Sequence, residues 1–246
     1  ALGLLVEMAS AHVVLNTITY SAAVSACAKG GQWDQALRLL VEMASAQVEL
    51  NTTTYNAAVS ACEKGGQWDQ ALRLLGEMAS ANVEFNTITY NAAISACGKG
   101  GELDRALGLL VEMAFAHVEL NTITYNAAIS ACEKCGEWDK ALRLLMNAHC
   151  AHVELDTITY NAAISACEKG DQWATALRLL VETESASVEL NTITYNAAIS
   201  ACEKGGEWIQ ALLLLAEMAS GRVELDTITC NAAVSVCGKG GQWDQA

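Results

Sequence analysis

Apolar positions along the chain follow two alternating helical registers. In 192–202, TITYNAAISAC, the apolar or small residues Ile193, Tyr195, Ala198, Ile199 and Cys202 are two to four apart, which suits one face of a helix better than a strand. Asn191 and Thr192 stand at the start, with short side chains that can accept hydrogen bonds from the free N–H groups of a first turn. Gly205 and Gly206 follow, where glycine can take the left-handed conformation that closes a helix. The next stretch, 207–220, EWIQALLLLAEMAS, spaces Trp208, Ala211, Leu212, Leu215 and Met218 so that they form a second stripe. The pattern predicts two short helices, A and B, joined by a few residues.

The same pattern recurs along nearly the whole chain. An Asn-Thr or Asp-Thr pair starts at Asn16, Asn51, Asn86, Asn121, Asp156, Asn191 and Asp226, each 35 residues after the last. Full repeats are expected at 17–51, 52–86, 87–121, 122–156, 157–191 and 192–226, with a second helix alone at 1–16 and a partial repeat at 227–246. Chain start and chain end fall at the same point of the repeat, as in a window cut from a longer array. One such hairpin cannot bury its apolar faces alone, so hairpins are expected to stack into an all-α superhelical solenoid. Ala and Ser dominate helix A, which lets neighbours approach closely.

The 35-residue period, the TYN opening, the CEKGG turn and the ALRLL second helix resemble the pentatricopeptide repeat family over six whole and two partial repeats. Tetratricopeptide repeats are the rival, but they have a period of about 34 and a different Trp, Gly and Tyr pattern. One departure stands out. The family carries Lys-Pro-Asp just before the next repeat, whereas this chain has VELN or VELD, with Leu50, Leu120 or Leu190 at the proline place and no proline anywhere. The linker is therefore expected either to be less rigid or to continue helix B. The resemblance implies a right-handed superhelical α-solenoid of 35-residue helix-turn-helix repeats. It also implies single-stranded RNA binding, one nucleotide per repeat, in chloroplast or mitochondrial RNA processing, stability or translation.

By the same resemblance two places in each repeat choose the base: the fifth residue from the opening Thr and the last residue before the next Thr. The pairs are Ser21 with Asn51, Asn56 with Asn86, Asn91 with Asn121, Asn126 with Asp156, Asn161 with Asn191, and Asn196 with Asp226; Asn231 opens a seventh. Their chemistry fits. Asn offers an acceptor and a donor, while ionised Asp only accepts, so Asp favours the N3–H of uracil and Asn suits cytosine, whose N3 accepts. Ser with Asn resembles the family's adenine reader. The expected target is 5′-A-C/U-C/U-U-C/U-U-3′. The second residue of each repeat, Ile18, Ile88, Ile123, Ile158, Ile193 or Ile228, would sandwich a base, and Thr53 interrupts that series.

Net charge is −14, which runs against nucleic acid, because Lys and Arg contacts to phosphate dominate most such affinities. The distribution softens this. No charge falls between Thr17 and Cys27 or in the equivalent stretches, and a Lys always stands near the end of helix A: Lys29, Lys64, Lys99, Lys134, Lys169, Lys204 and Lys239. These lysines have two readings, phosphate contact and complementing the negative end of the helix dipole. The Asn series also has a second reading, hydrogen bonding to nearby backbone. The acidic total favours an alternative role for the chain, a protein-binding α-solenoid scaffold with protein partners.

Apolar residues make up 52% of the chain, but runs such as ALLLLA fall far short of the ~18 residues of a membrane span, so no membrane partner is expected. The first residues match a helix B and not a cleavable leader. Seven of the ten cysteines, Cys27, Cys62, Cys97, Cys132, Cys167, Cys202 and Cys237, recur at one place and read as small packing residues. Cys132 with Cys135 makes a CxxC without a second pair, and His149, Cys150 and His152 lack a fourth ligand. His152 falls where His12 and His117 recur. No nucleophile with its base, paired carboxylates or deaminase signature stands out. The expectation is a protein without enzymatic activity, metal, cofactor or small-molecule substrate.

Overall fold

The computed structural model describes residues 15–221 and 223–239, together with Gly3, Glu7 and Ala11. These residues fold into thirteen α-helices of the A and B kinds, with no strand among them. The A helices are α1 (Thr17–Lys29), α3 (Thr52–Lys64), α5 (Thr87–Lys99), α7 (Thr122–Cys135), α9 (Thr157–Lys169), α11 (Thr192–Gly205) and α13 (Thr227–Lys239). The B helices are α2 (Trp33–Ser45), α4 (Trp68–Ser80), α6 (Leu103–Phe115), α8 (Trp138–Cys150), α10 (Trp173–Ser185) and α12 (Trp208–Ser220). None of the described helices is long and apolar enough to cross a membrane.

Every A helix is started by the side chain before it. Asn16 is extended and its Oδ1 accepts the Thr19 backbone N–H at 3.0 Å, and Asp226 does the same for Thr229 at 2.8 Å. This satisfies one of the free donors of the first turn. The A helices end where Gly31, Gly66, Gly101, Gly136 and Gly206 turn left-handed, and a bond such as Gln32 N–H to the Cys27 carbonyl, at 2.9 Å, closes the last turn.

Helix B does not run on into the linker. At its end Gln47, Asn82, His117, His152 and Ser187 take a left-handed φ without being glycine. The bond from Val48 N–H to the Met43 carbonyl, 3.0 Å, completes the same six-residue closure. The linker that follows is fixed without proline: the hydroxyl of Thr122 donates to the Glu154 carbonyl at 2.6 Å, and that of Thr192 to the Glu224 carbonyl at 2.8 Å. A hydroxyl of one repeat thus holds the linker that leads out of it.

The chain divides into two compact units, residues 1–120 and 121–246. In the first, α1, α3 and α5 pack side by side, and α2 and α4 each fill the space between their own A helix and the next. The second repeats this with α7, α9, α11 and α13 as the A layer and α8, α10 and α12 as the B layer. An A helix therefore meets neighbours on several sides. Ala58, Val59, Ala61 and Cys62 of α3 are all buried, which explains why small residues populate it.

In helix B the buried stripe is narrower: Ala36, Leu39, Leu40 and Met43 in α2, and Ala211, Leu214 and Met218 in α12. The predicted stripes differ from the buried ones in part, and Trp208, Leu212 and Leu215 are only half-buried. Ile193 stands outside the core, 62% exposed, and Leu214 is buried although the stripe read from sequence passed over it. The hairpin turns pack against the preceding B helix. A Cβ at Gly100 would lie 2.2 Å from Cδ1 of Trp68, and one at Gly170 would lie 2.1 Å from that of Trp138. Only glycine fits there.

Candidate functional site

The fifth residue of helix A and the last residue of the repeat are brought together by packing one A helix on the next. Asn56 Nδ2 donates to Asn86 Oδ1 at 3.1 Å, and Asn161 to Asn191 at 3.4 Å. Asn126 Nδ2 reaches both oxygens of Asp156, at 3.1 and 3.2 Å, and Asn196 reaches those of Asp226 at the same distances. Ser21 is too short to reach Asn51. Its hydroxyl lies 2.6 Å from that of Thr54, which in turn donates to Asn51 Oδ1 at 3.0 Å. Asn91 closes the first unit's series and Asn121 opens the second's. Asn231 is exposed on α13.

The capping bond decides which atom of the last residue stays available. In Asn86 the Oδ1 accepts the Thr89 backbone N–H at 3.1 Å and the amide of Asn56, so its own NH₂ is left without a protein partner among the described residues. In Asp156 the Oδ1 is used in the same way, and Oδ2, to which Asn126 donates at 3.2 Å, keeps lone pairs for a further donor. The same side chain therefore caps a helix and presents a donor or an acceptor. Burial works to raise the pKa of Asp156, but hydrogen bonds from the backbone and hydroxyl of Thr159 and from Asn126 outweigh it and hold the carboxyl below its ordinary value. Asp226 is lowered chiefly by the backbone N–H of Thr229. Both are anionic at neutral pH.

Beside these polar tips stands a series of exposed apolar side chains. Ile18, Ile88, Ile123, Ile158, Ile193 and Ile228 are 59–78% exposed, and Thr53 is exposed at the equivalent place. In the first unit, Ile18, Ser21, Thr53 and Asn51 line a cleft of about 390 Å³, with Thr17, Ala22 and Ser25.

The lysines near the ends of the A helices divide into two groups. Lys99, Lys169 and Lys204 form ion pairs with Glu63 at 2.7 Å, Glu133 at 2.6 Å and Glu168 at 2.9 Å. Each of these acids belongs to the A helix one repeat earlier. Lys29, Lys64 and Lys134 form no ion pair among the described residues. The side chains of Lys239 and Cys237, and all of His12, lie outside the described residues. Neither the glutamates nor the third-position threonines were marked by the sequence pattern. Their partners are 36 and 33 residues away, a distance at which helical periodicity carries no signal.

The cysteine series is buried, and burial pushes the thiols of Cys62, Cys97, Cys132, Cys167 and Cys202 up to about 11. They stay protonated and serve as packing groups. Cys135, Cys150 and Cys230 are exposed and in no disulfide. His149 pairs with Glu182 at 3.2 Å and lies 3.3 Å from the Tyr160 hydroxyl, while His152 is the left-handed residue after α8. No three metal-binding side chains converge among the described residues.

A family model described as the pentacotripeptide-repeat region of PRORP matches residues 1–158, more than half of the chain. Models described as a pentatricopeptide repeat domain and a PPR repeat match 142–205 and 193–223. No curated protein matches. Among solved structures, the chain is similar to the pentatricopeptide repeat protein PPR10 in complex with an 18-nt psaJ RNA element, at 21% identity over 98% of this chain and 40% of that one, with a TM-score of 0.60. It is similar to the PPR domain of Arabidopsis thaliana protein-only RNase P 1 in complex with tRNA, at 14% identity over 76% of this chain and 95% of that one, with a TM-score of 0.64. Nuclear proteinaceous RNase P 2 from the same plant gives 13% identity, coverage of 78% and 43%, and a TM-score of 0.67. The chain thus spans 40% of the length of PPR10. At these identities the likeness speaks for the fold.

Proposed function

The chain belongs to the pentatricopeptide repeat family, and from that membership we propose that it binds single-stranded RNA, one nucleotide per repeat. The target is 5′-A-C/U-C/U-U-C/U-U-3′. The observation that carries the reading is the contact of Asn56, Asn126, Asn161 and Asn196 with Asn86, Asp156, Asn191 and Asp226 beside exposed isoleucines. An Asn-Asn pair offers two donors, which suit the N3 and O2 acceptors of cytosine. An Asn-Asp pair offers a donor and an acceptor, which suit a carbonyl and the N3–H of uracil. At the first pair Ser21 takes less room than Asn, and the cleft it lines leaves space for a purine. The isoleucines supply the apolar platforms on either side of each base, as stacking platforms do in other single-strand binders. PPR10 and the PPR domain of RNase P 1 were both solved with RNA, which supports RNA as the ligand class.

The protein acts by occupancy, without chemistry of its own, in RNA processing, stability or translation in a chloroplast or mitochondrion. No cofactor, membrane or small-molecule substrate takes part. One observation favours a second reading, a protein-binding scaffold: the net charge of −14. Binding of ACCUCU RNA and of a scrambled RNA of equal composition at low salt separates the two. Base reading predicts tighter binding of ACCUCU by at least about tenfold, as little as one well-made base contact is worth. Equal affinities overturn base reading, and no RNA binding at all leaves the scaffold.

A further inference from the structure

We propose that the threonine at the third position of helix A, Thr89, Thr159, Thr194 or Thr229, is a positioning residue that fixes which way round the preceding repeat presents its base-reading amide. The inference rests on the base-reading function above and adds to it the residue that determines the polarity of the reader.

An asparagine amide keeps its shape when rotated by half a turn but exchanges its donor for its acceptor. A reader built on Asn therefore needs a lock, because the rotated amide offers a base the opposite pattern. The lock is visible in the Asn56 repeat. The backbone N–H of Asn86 donates to Thr89 Oγ1 at 3.2 Å, and a backbone N–H has no other polarity to offer. The Thr89 hydroxyl faces two acceptors, Asn86 Oδ1 at 3.1 Å and Asn56 Oδ1 at 2.6 Å, and donates to the nearer. Asn56 Nδ2 then donates to Asn86 Oδ1, which is held as an acceptor by the Thr89 backbone N–H at 3.1 Å. Two backbone donors thus fix Thr89 Oγ1 and Asn86 Oδ1 as acceptors, and the short bond from the Thr89 hydroxyl closes the ring on the amide oxygen of Asn56. One N–H of the amide is left over for a ligand.

The ring recurs. Thr159 donates to Asn126, Thr194 to Asn161 at 2.6 Å and Thr229 to Asn196 at 2.5 Å, and in each case the hydroxyl accepts the N–H of the capping residue. All four threonine side chains are fully buried. A surface-capping role alone would not require a bond to a side chain 33 residues away. The exception agrees: where helix A carries Ser21, the facing group is a second hydroxyl, Thr54, and either can donate. There is no amide to orient.

The test uses the Asn161 repeat, where the amide's other tie, to Asn191, is the longest at 3.4 Å, so the threonine dominates. Binding is measured for RNAs varied at the fifth base and, separately, at the fourth, with the unaltered protein, Thr194→Val and Thr194→Ser. Thr194→Val is expected to lower the preference for a pyrimidine at the fifth base about fivefold, the worth of one net hydrogen bond. It should leave the U over C preference at the fourth base intact, and Thr194→Ser should restore the fifth. An unchanged fifth-base preference in Thr194→Val overturns the inference, as does a parallel loss at both bases, which would mark a purely structural role. A protein with no base preference before substitution overturns base reading itself, and this inference with it.

Discussion

At Asp171 the chain does with an aspartate what the other A-helix turns do with glycine. Its φ is +56°, against +66° to +78° for Gly31, Gly66, Gly101, Gly136 and Gly206. A side chain in this conformation costs about 1 kcal/mol, and its negative charge sits at the negative end of α9. Asp171→Gly should raise stability by about 0.5–1 kcal/mol, read as a higher urea midpoint; an unchanged or lower midpoint contradicts the strain. The capping carboxylates behave in the opposite sense. Asp156 and Asp226 have lowered pKa values, so their stabilisation is fully present above the ordinary aspartate range and is lost only as pH falls through and below it. At neutral pH they can only accept, which is the property the uracil assignment requires.

At the scale of the helices, the ends and the period were legible in sequence, and the faces only partly. Asn191 and Thr192 mark a start because capping is a local bond, and glycine marks an end because its freedom is local too. The ends of the B helices were not marked, since Gln47, Asn82 and His117 take the left-handed turn without being glycine. Ile193 sat in a spacing that fits a buried stripe, yet it is exposed because helix A meets its neighbours through Tyr195, Ala198, Ile199 and Cys202. The ion pairs between successive A helices were also invisible, as Glu63 and Lys99 are 36 residues apart. These pairs engage Lys99, Lys169 and Lys204 within the array. Partly exposed pairs contribute ~1 kcal/mol or less, so Glu63→Gln, Glu133→Gln and Glu168→Gln together should leave the fold intact. They should steepen the dependence of log affinity for RNA on log salt by roughly 0.7 per lysine that turns to phosphate. An unchanged slope in a KCl titration would assign those lysines to packing alone.

Across the whole molecule, the 35-residue step disclosed a repeat array, and the helical spacing of apolar side chains within each step made it all-α. What it could not disclose is how one repeat completes another: the amide of Asn126, the cap Asp156 and the hydroxyl of Thr159 come together only when α7 packs on α9. An array with net charge −14 has little general attraction for phosphate, so the selectivity of its reading pairs must carry most of any RNA affinity. The direct test of that claim is an exchange of one atom type at one repeat. Asp156→Asn keeps the helix cap and replaces the available acceptor with a donor. In competition binding between ACCUCU and ACCCCU RNA, the unaltered protein should favour U at the fourth base. The variant should shift by about tenfold towards C, an amount that one polar base contact can supply. An unchanged ratio would contradict one-base-per-repeat reading by these pairs.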